Sequence, residues 1–209
     1  MADHGLRERK KRATRQLIAD VATGLFVQRG FDEVTVAEVA EAAGVSKMTV
    51  FNYFPRKEDL FLDRHADRLA DLVSAVRSRP AGVSAAGALR RHQHELLAAG
   101  HPLSGAIAGG PGFWWVLTSS PALTARWYEQ EREIAEALAE VFTEETGDAF
   151  RSRMAAGLLT TAITTIFGHA MTRIAAGDDA ETVRGEQVAV IDQAFDLAEH
   201  GVGDYPASR

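Results

Sequence analysis

Apolar positions recur every three or four residues along nearly the whole chain, which is the spacing of one face of an α-helix. The two-residue alternation of a half-buried strand is almost absent, apart from a brief Val34-Thr35-Val36. The pattern predicts an all-α chain. A first helix is expected over about 10–29, with Leu17, Ile18, Val21, Ala22, Leu25 and Phe26 as its buried stripe and Gly30 as the residue that ends it. Thr35-Val36-Ala37-Glu38 has the form of a capping box, so a second helix starts there, and it stops at Gly44. Ser46 is a good cap for a third helix, which Pro55 terminates. Glu58 and Asp59 suit the positive start of a fourth helix, expected to run to about Ser78. Further helices are expected over 84–99, 103–118, 121–145, 148–176 and 181–200.

Two helices as short as the second and third, joined by so tight a turn, must pack at a steep angle. Ala40 is the small residue that a close approach needs, and Gly44 supplies the positive φ of the turn. Val36, Val39, Val45 and Val50 fall where the interior of such a unit needs apolar groups. The third helix is then left with Lys47, Thr49 and Asn52 on its open face, residue types that reach phosphates and base edges. Tyr53 and Lys57 follow at positions able to hold the flanking backbone. The alternative is a short helical hairpin in a purely structural domain.

Charge favours the nucleic-acid reading. The formal charge of -6 is unevenly spread: the first fifteen residues carry six basic and two acidic side chains, while everything after residue 60 sums to -7. A basic end on an acidic body suggests that one end of the molecule meets a polyanion. The absence of cysteine excludes disulfide and thiolate chemistry and fits a reducing cytoplasm. No apolar run follows the basic N-terminus, so no signal peptide is expected. Leu96 to Ala125 and Met154 to Thr172 are free of formal charge. The first holds three prolines and five glycines, and the second is interrupted by four threonines and His169, so both are expected to pack within protein, with no membrane involved.

Thr35 to Leu60, TVAEVAEAAGVSKMTVFNYFPRKEDL, resembles the DNA-binding signature of the TetR family, and with the first helix the likeness covers about residues 10–62. The resemblance implies DNA contacts from Thr35, Ser46, Lys47, Met48, Thr49, Asn52 and Tyr53, with Lys57 holding a phosphate near the fourth helix. Two departures stand out. Phe51 replaces a common tyrosine and so lacks a phosphate-bonding hydroxyl, and Arg56 stands where a small capping residue is usual. The resemblance also implies a division into residues 1–55, a helix-turn-helix domain with a basic arm, and residues 56–209, a helical domain for ligand binding and dimerisation. The implied partners are a palindromic double-stranded DNA operator, a second copy of the chain and a small-molecule effector, all in the cytoplasm and without a cofactor.

In the second half, the uncharged stretch from Leu96 falls where the effector pocket would lie. Phe113, Trp114 and Trp115 are consecutive on a helix and cannot all face one way. Together with Trp127 they are the ligand candidates, with ordinary core as the alternative for each ring. Ser120-Pro121-Ala122-Leu123, continuing through Trp127 and Glu131 to Leu138, resembles the branch of the family that senses acyl-CoA-like ligands. Gly109-Gly110-Pro111-Gly112 lacks the Gly-Lys-Ser/Thr of a phosphate loop and is expected to mark a kink or a mobile segment. His92 and His94 lie two apart on a helix and point in different directions, His101 and His169 are isolated, and no nucleophile has a paired base; neither a metal site nor an enzyme is expected. Phe150, Met154, Leu158, Ile163, Ile166, Phe167 and Ile174 stripe one late helix, and Val183, Val190, Ile191 and Phe195 the next. Symmetric pairing would bury both stripes. The expectation is a homodimeric repressor released from its operator by a small apolar or amphipathic molecule. Its rivals are a ligand-independent regulator, an activator, and a small-molecule binder with a vestigial DNA-binding head.

Overall fold

The computed structural model describes residues 2–201; Met1 and the last eight residues of the expected second domain lie outside them. Among the described residues the chain is all-helical. The order is α1 (Ala2–Arg29), α2 (Val36–Ala42), α3 (Lys47–Tyr53), α4 (Glu58–Phe61), α5 (His65–Arg77), α6 (Ala85–Ala98), a 3-10 turn (Pro102–Ser104), α7 (Gly110–Ser119), α8 (Pro121–Thr146), α9 (Ala149–Ala175) and α10 (Ala180–His200). Two compact units result: Met1–His65 with Trp115–Trp127, and Ala66–Trp114 with Tyr128–Arg209. The boundary expected at 55 and 56 falls at the end of α3, whereas packing carries the first unit on through α4. The buried Leu60 and Phe61 explain this, since Phe61 sets its ring 6.0 Å from that of Phe26 in α1.

The first unit is built on α1, which begins eight residues before the expected start, so the basic arm is helical. Its buried stripe is Ile18, Ala19, Ala22 and Phe26, with Phe31 closing over Phe26 at 5.0 Å. Leu17 departs from expectation and is half exposed. Ile18, Ala22 and Phe26 succeed one another at four-residue steps, and Leu17 lies a hundred degrees around the helix from Ile18.

The expected fourth helix is broken into α4 and α5. Leu60, Phe61 and Leu62 are all buried, and three consecutive residues of a helix span too wide an arc to enter one core. The chain leaves helical geometry at Leu62 (φ -95, ψ 41). The carbonyl of Asp63 is thereby available to Arg15, whose guanidinium donates to it at 2.7 Å.

In the second unit α9 is the central helix. Ala156, Leu159, Ile163, Ile166, Ala170 and Ile174 pack with Leu72 and Val76 of α5, Leu89 and Leu97 of α6, Ile134 and Leu138 of α8, and Val183, Ile191 and Phe195 of α10. By length and composition α9 could cross a membrane, but half of its most apolar window is buried in this core, which accounts for its apolarity. The stripe expected for pairing therefore divides. Ile163, Ile166, Phe167 and Ile174 of α9 and Val183, Ile191 and Phe195 of α10 are spent on the chain's own interior, whereas Phe150, Met154 and Leu158 remain exposed, with Val188 and Leu197 of α10.

α7 starts seven residues later than expected. Gly105 is left-handed (φ +75), and a Cβ there would lie 2.7 Å from the carbonyl oxygen of Phe167. The chain passes too close to α9 at this point for a helix of ordinary side chains. Gly110 and Pro111 then open α7. Proline in a first turn forfeits no helical hydrogen bond, so the glycine-proline run begins a helix and does not kink one.

Candidate nucleic-acid interface

The turn between α2 and α3 closes as its residues demand. Gly44 takes φ 66, and Val45 donates to the carbonyl of Ala40 at 2.9 Å. Ser46 caps α3 by accepting from the amide of Thr49 at 3.0 Å, and the hydroxyls of Ser46 and Thr49 share a bond of 2.8 Å. Val50 within α3 and Phe54 at its end are buried and fix the helix to the unit. On the opposite side Lys47, Met48, Phe51 and Asn52 are exposed, and Thr49 and Tyr53 are half-buried. The structure thus gathers Ser46, Lys47, Met48, Thr49, Asn52 and Tyr53 on one short element. Met48 is 70% exposed and Phe51 40%, both unusual for large apolar side chains.

Thr35 and Glu38 form the expected capping box. The Thr35 hydroxyl accepts from the Glu38 amide at 3.2 Å and donates to the Glu38 carboxylate at 2.8 Å, and the Thr35 amide donates to that carboxylate at 2.8 Å. Arg29 adds an ion pair at 2.8 Å. The backbone donor, then the hydroxyl, then Arg29 hold the Glu38 carboxyl down from 4.5 to about 2. A carboxyl with a lowered pKa contributes stability above its unfolded value, and that contribution is lost as pH falls through the folded one. The α2 cap should therefore persist at pH 4.5 and fail towards pH 2. Carboxyl NMR titration checks this, with Thr35→Val raising the midpoint. A wild-type midpoint near 4.5 would contradict the cap.

Two cations differ from expectation. Lys57, expected on a phosphate, turns inward: its Nζ donates to the carbonyl of Phe31 at 2.6 Å and lies 4.1 Å from the centre of the Phe31 ring. Desolvation lowers its pKa. The long apolar stem packs on aromatic surface while the ammonium satisfies a carbonyl of the α1–α2 loop, so a phosphate would have to compete with Phe31. Arg15, at the end of the basic arm, lies 4.7 Å over the ring of Phe54. This stacking and the bond to Asp63 make it part of the unit's packing. The N-cap position of α4 falls on Lys57 and not on Arg56, and Lys57 makes no side-chain cap hydrogen bond there. Sequence reasoning missed the pairing of Arg126 in α8 with Asp59 in α4 at 2.8 Å, also within the first unit.

The four aromatic ligand candidates are not gathered. Phe113 and Trp114, both half-buried in the second unit, meet Phe167 of α9 edge-on at 6.4 and 6.3 Å. Trp115 and Trp127 belong to the first unit, and Trp115 is 53% exposed. Successive residues of α7 point a hundred degrees apart, which separates Trp115 from Trp114. One helical turn before Phe167, Thr164 donates to Glu131, and Glu131 forms a buried two-pronged ion pair with Arg68 of α5, one prong at 3.0 Å. This cluster was not anticipated, although Glu131 stood inside the stretch that resembles acyl-CoA sensors. A cavity of about 650 Å³ opens elsewhere in the same unit, lined by Phe142, Leu158 and Leu159 among others, with the Arg79–Glu145 pair beside them. None of the four aromatic residues lines that cavity. Of the histidines singled out in the sequence, His94 bonds Asp192 at 2.9 Å and His101 accepts from the amide of Leu103.

A capped seven-residue helix standing across a glycine turn from its predecessor, buried on one side and carrying lysine and asparagine on the other, has the form of the second helix of a helix-turn-helix unit. Residues 18–63 match the family described as bacterial regulatory proteins, tetR family. The regulator TcmR of Streptomyces glaucescens is 29% identical over 158 residues, covering 71% of this chain and 69% of TcmR. The repressor AcnR of Corynebacterium diphtheriae is 26% identical over 190 residues, 90% of either chain. Among solved structures, NalD, the secondary repressor of the MexAB-OprM multidrug efflux pump in Pseudomonas aeruginosa, superposes with a TM-score of 0.58 at 17% identity, covering 88% of this chain and 96% of NalD. FadR of Bacillus subtilis in complex with stearoyl-CoA gives 0.51 at 18% identity over 88% and 96%. The chain carries the DNA-binding region of the tetR family at residues 18–63. It is a DNA-binding transcriptional regulator and not an enzyme.

Proposed function

We propose that the protein is a cytoplasmic homodimeric repressor that leaves a palindromic operator when a small apolar or amphipathic molecule binds its second unit. The observation that carries the reading is α3, which exposes Lys47, Met48, Phe51 and Asn52 while Val50 and Phe54 are buried as its anchors. In a dimer, two such helices enter successive major grooves, which DNA offers at intervals of about 34 Å. Lys47, Tyr53 and the first-turn residues Ser46 and Thr49 engage backbone, and Met48 and Asn52 meet base edges. Thr35 reaches phosphate by releasing Glu38, and Lys57 by releasing Phe31. Support for pairing comes from the exposed Phe150, Met154 and Leu158 of α9 with Val188 and Leu197 of α10, a run of apolar surface that a second copy would cover.

The effector reading draws on Phe113, Trp114 and Phe167 lying a turn from the Arg68–Glu131–Thr164 cluster, an apolar wall beside a polar anchor. Acyl thioesters head the effector panel, given the stretch from Ser120 to Leu138 and the stearoyl-CoA bound by FadR. Binding that favours a dimer poorly fitted to its operator is worth about 1–3 kcal/mol between sites. A cognate effector should quench or shift the fluorescence of Trp114, raise the melting temperature and weaken operator binding, all saturating together. A compound that stabilises the protein without changing operator affinity is no effector. If lipids, acyl thioesters and aromatic compounds all leave operator affinity unchanged, the protein is a ligand-independent regulator.

A further inference from the structure

We infer that the core of the operator half-site is A·T-rich and is read through thymine C5-methyl groups packed against Met48 and Phe51. The inference rests on the reading of α3 as the DNA face. That helix is Lys47-Met48-Thr49-Val50-Phe51-Asn52-Tyr53 and contains no arginine, the side chain that most often pairs with guanine in the major groove. Its largest exposed groups are instead Met48 at 70% and Phe51 at 40%. Neither donates or accepts a conventional hydrogen bond to a base.

The chemistry of the groove then selects the base. A G·C pair presents only acceptors and an amino donor on its major-groove edge. Pressed against Met48 or Phe51, those groups would lose water and gain no partner. An A·T pair presents the thymine methyl, the one apolar group on that edge. The exposed amide of Asn52 has the two-pronged geometry that suits adenine N6 and N7. The hydroxyl of Thr49 is already shared with Ser46. Lys47 is the member of α3 able to pair with guanine, and its Nζ lies 5.9 Å from the centre of the Phe51 ring, over apolar surface.

The test begins with enrichment of random-sequence DNA duplexes on the full-length protein. The affinity of the enriched duplex is then compared with that of the same duplex carrying uracil for thymine, which removes only methyl groups. The expected half-site is A·T-rich, and uracil weakens binding about fourfold for each buried methyl, the effect of one methylene-sized apolar contact. In Met48→Ala and Phe51→Ala the thymine-to-uracil difference shrinks. Both residues are exposed, and the wild-type comparison needs no variant. Equal affinity for the thymine and uracil duplexes overturns the inference. So does a uracil effect that survives in both variants, or an enriched core of G·C pairs, which would make Lys47 the reader. Failure to enrich any sequence overturns the reading of α3 as the DNA face, and this inference with it.

Discussion

Glu131→Ala should destabilise the protein more than any other single change at a polar position. The side chains of Arg68 and Glu131 are each only 9% exposed, and the carboxylate accepts two guanidinium N–H groups and the Thr164 hydroxyl. Removing it leaves a buried guanidinium without the carboxylate opposite it, while the Thr164 hydroxyl keeps the Thr160 carbonyl as acceptor at 2.9 Å. Breaking such a pair from one side costs about 3–5 kcal/mol, a large share of the roughly 5–15 kcal/mol that holds a domain folded. The double variant Arg68→Met with Glu131→Leu should recover most of that loss, because a well-packed apolar pair avoids the desolvation of both charges. Denaturant midpoints of the two single variants and the double variant measure this directly. A Glu131→Ala protein within about 1 kcal/mol of wild type would mean that the ion pair is not the structural tie described here.

A charge placed on α9 should have opposite consequences on its two faces. Ile166 is 1% exposed and lies in the core of its own unit, so Ile166→Asp buries a carboxylate with no partner and should abolish cooperative unfolding at a cost of several kcal/mol. Leu158 is 50% exposed in the single chain and belongs to the surface proposed to meet a second copy. Leu158→Asp should keep its helical circular dichroism but halve the mass seen by light scattering. A Leu158→Asp protein that remained dimeric would move the interface away from the start of α9.

The α2–α3 hairpin was legible in the sequence because its determinants are local. Thr35 and Glu38, Ser46 and Thr49, and Ala40 with Gly44 and Val45 interact within a turn or two, and their spacing is their chemistry. What lay beyond the sequence depended on distant partners. Arg15 reads as one more solvated charge until Asp63, 48 residues away, meets it. Lys57 reads as a free cation until the carbonyl of Phe31, 26 residues earlier, accepts its hydrogen bond. Arg68 and Glu131 are 63 residues apart. Periodicity also could not tell Ile166 from Leu158, since buried and exposed apolar positions of one helix have the same composition. The run Leu60-Phe61-Leu62 fitted a continuing helix and broke one instead, because all three side chains found burial.

The central claim is that α3 reads DNA, and fluorescence anisotropy of enriched duplex across a salt series tests it most directly. For the wild-type protein, the logarithm of affinity should fall steeply and linearly with the logarithm of salt concentration, by about 0.9 for each phosphate neutralised. Lys47→Ala should make the slope shallower by about one such contact on each half-site. Asn52→Ala should leave the slope unchanged and reduce the preference for enriched over scrambled sequence. Binding indifferent to salt and sequence, or variants at Lys47 and Asn52 indistinguishable from wild type, would contradict the assignment of α3 as the reading helix.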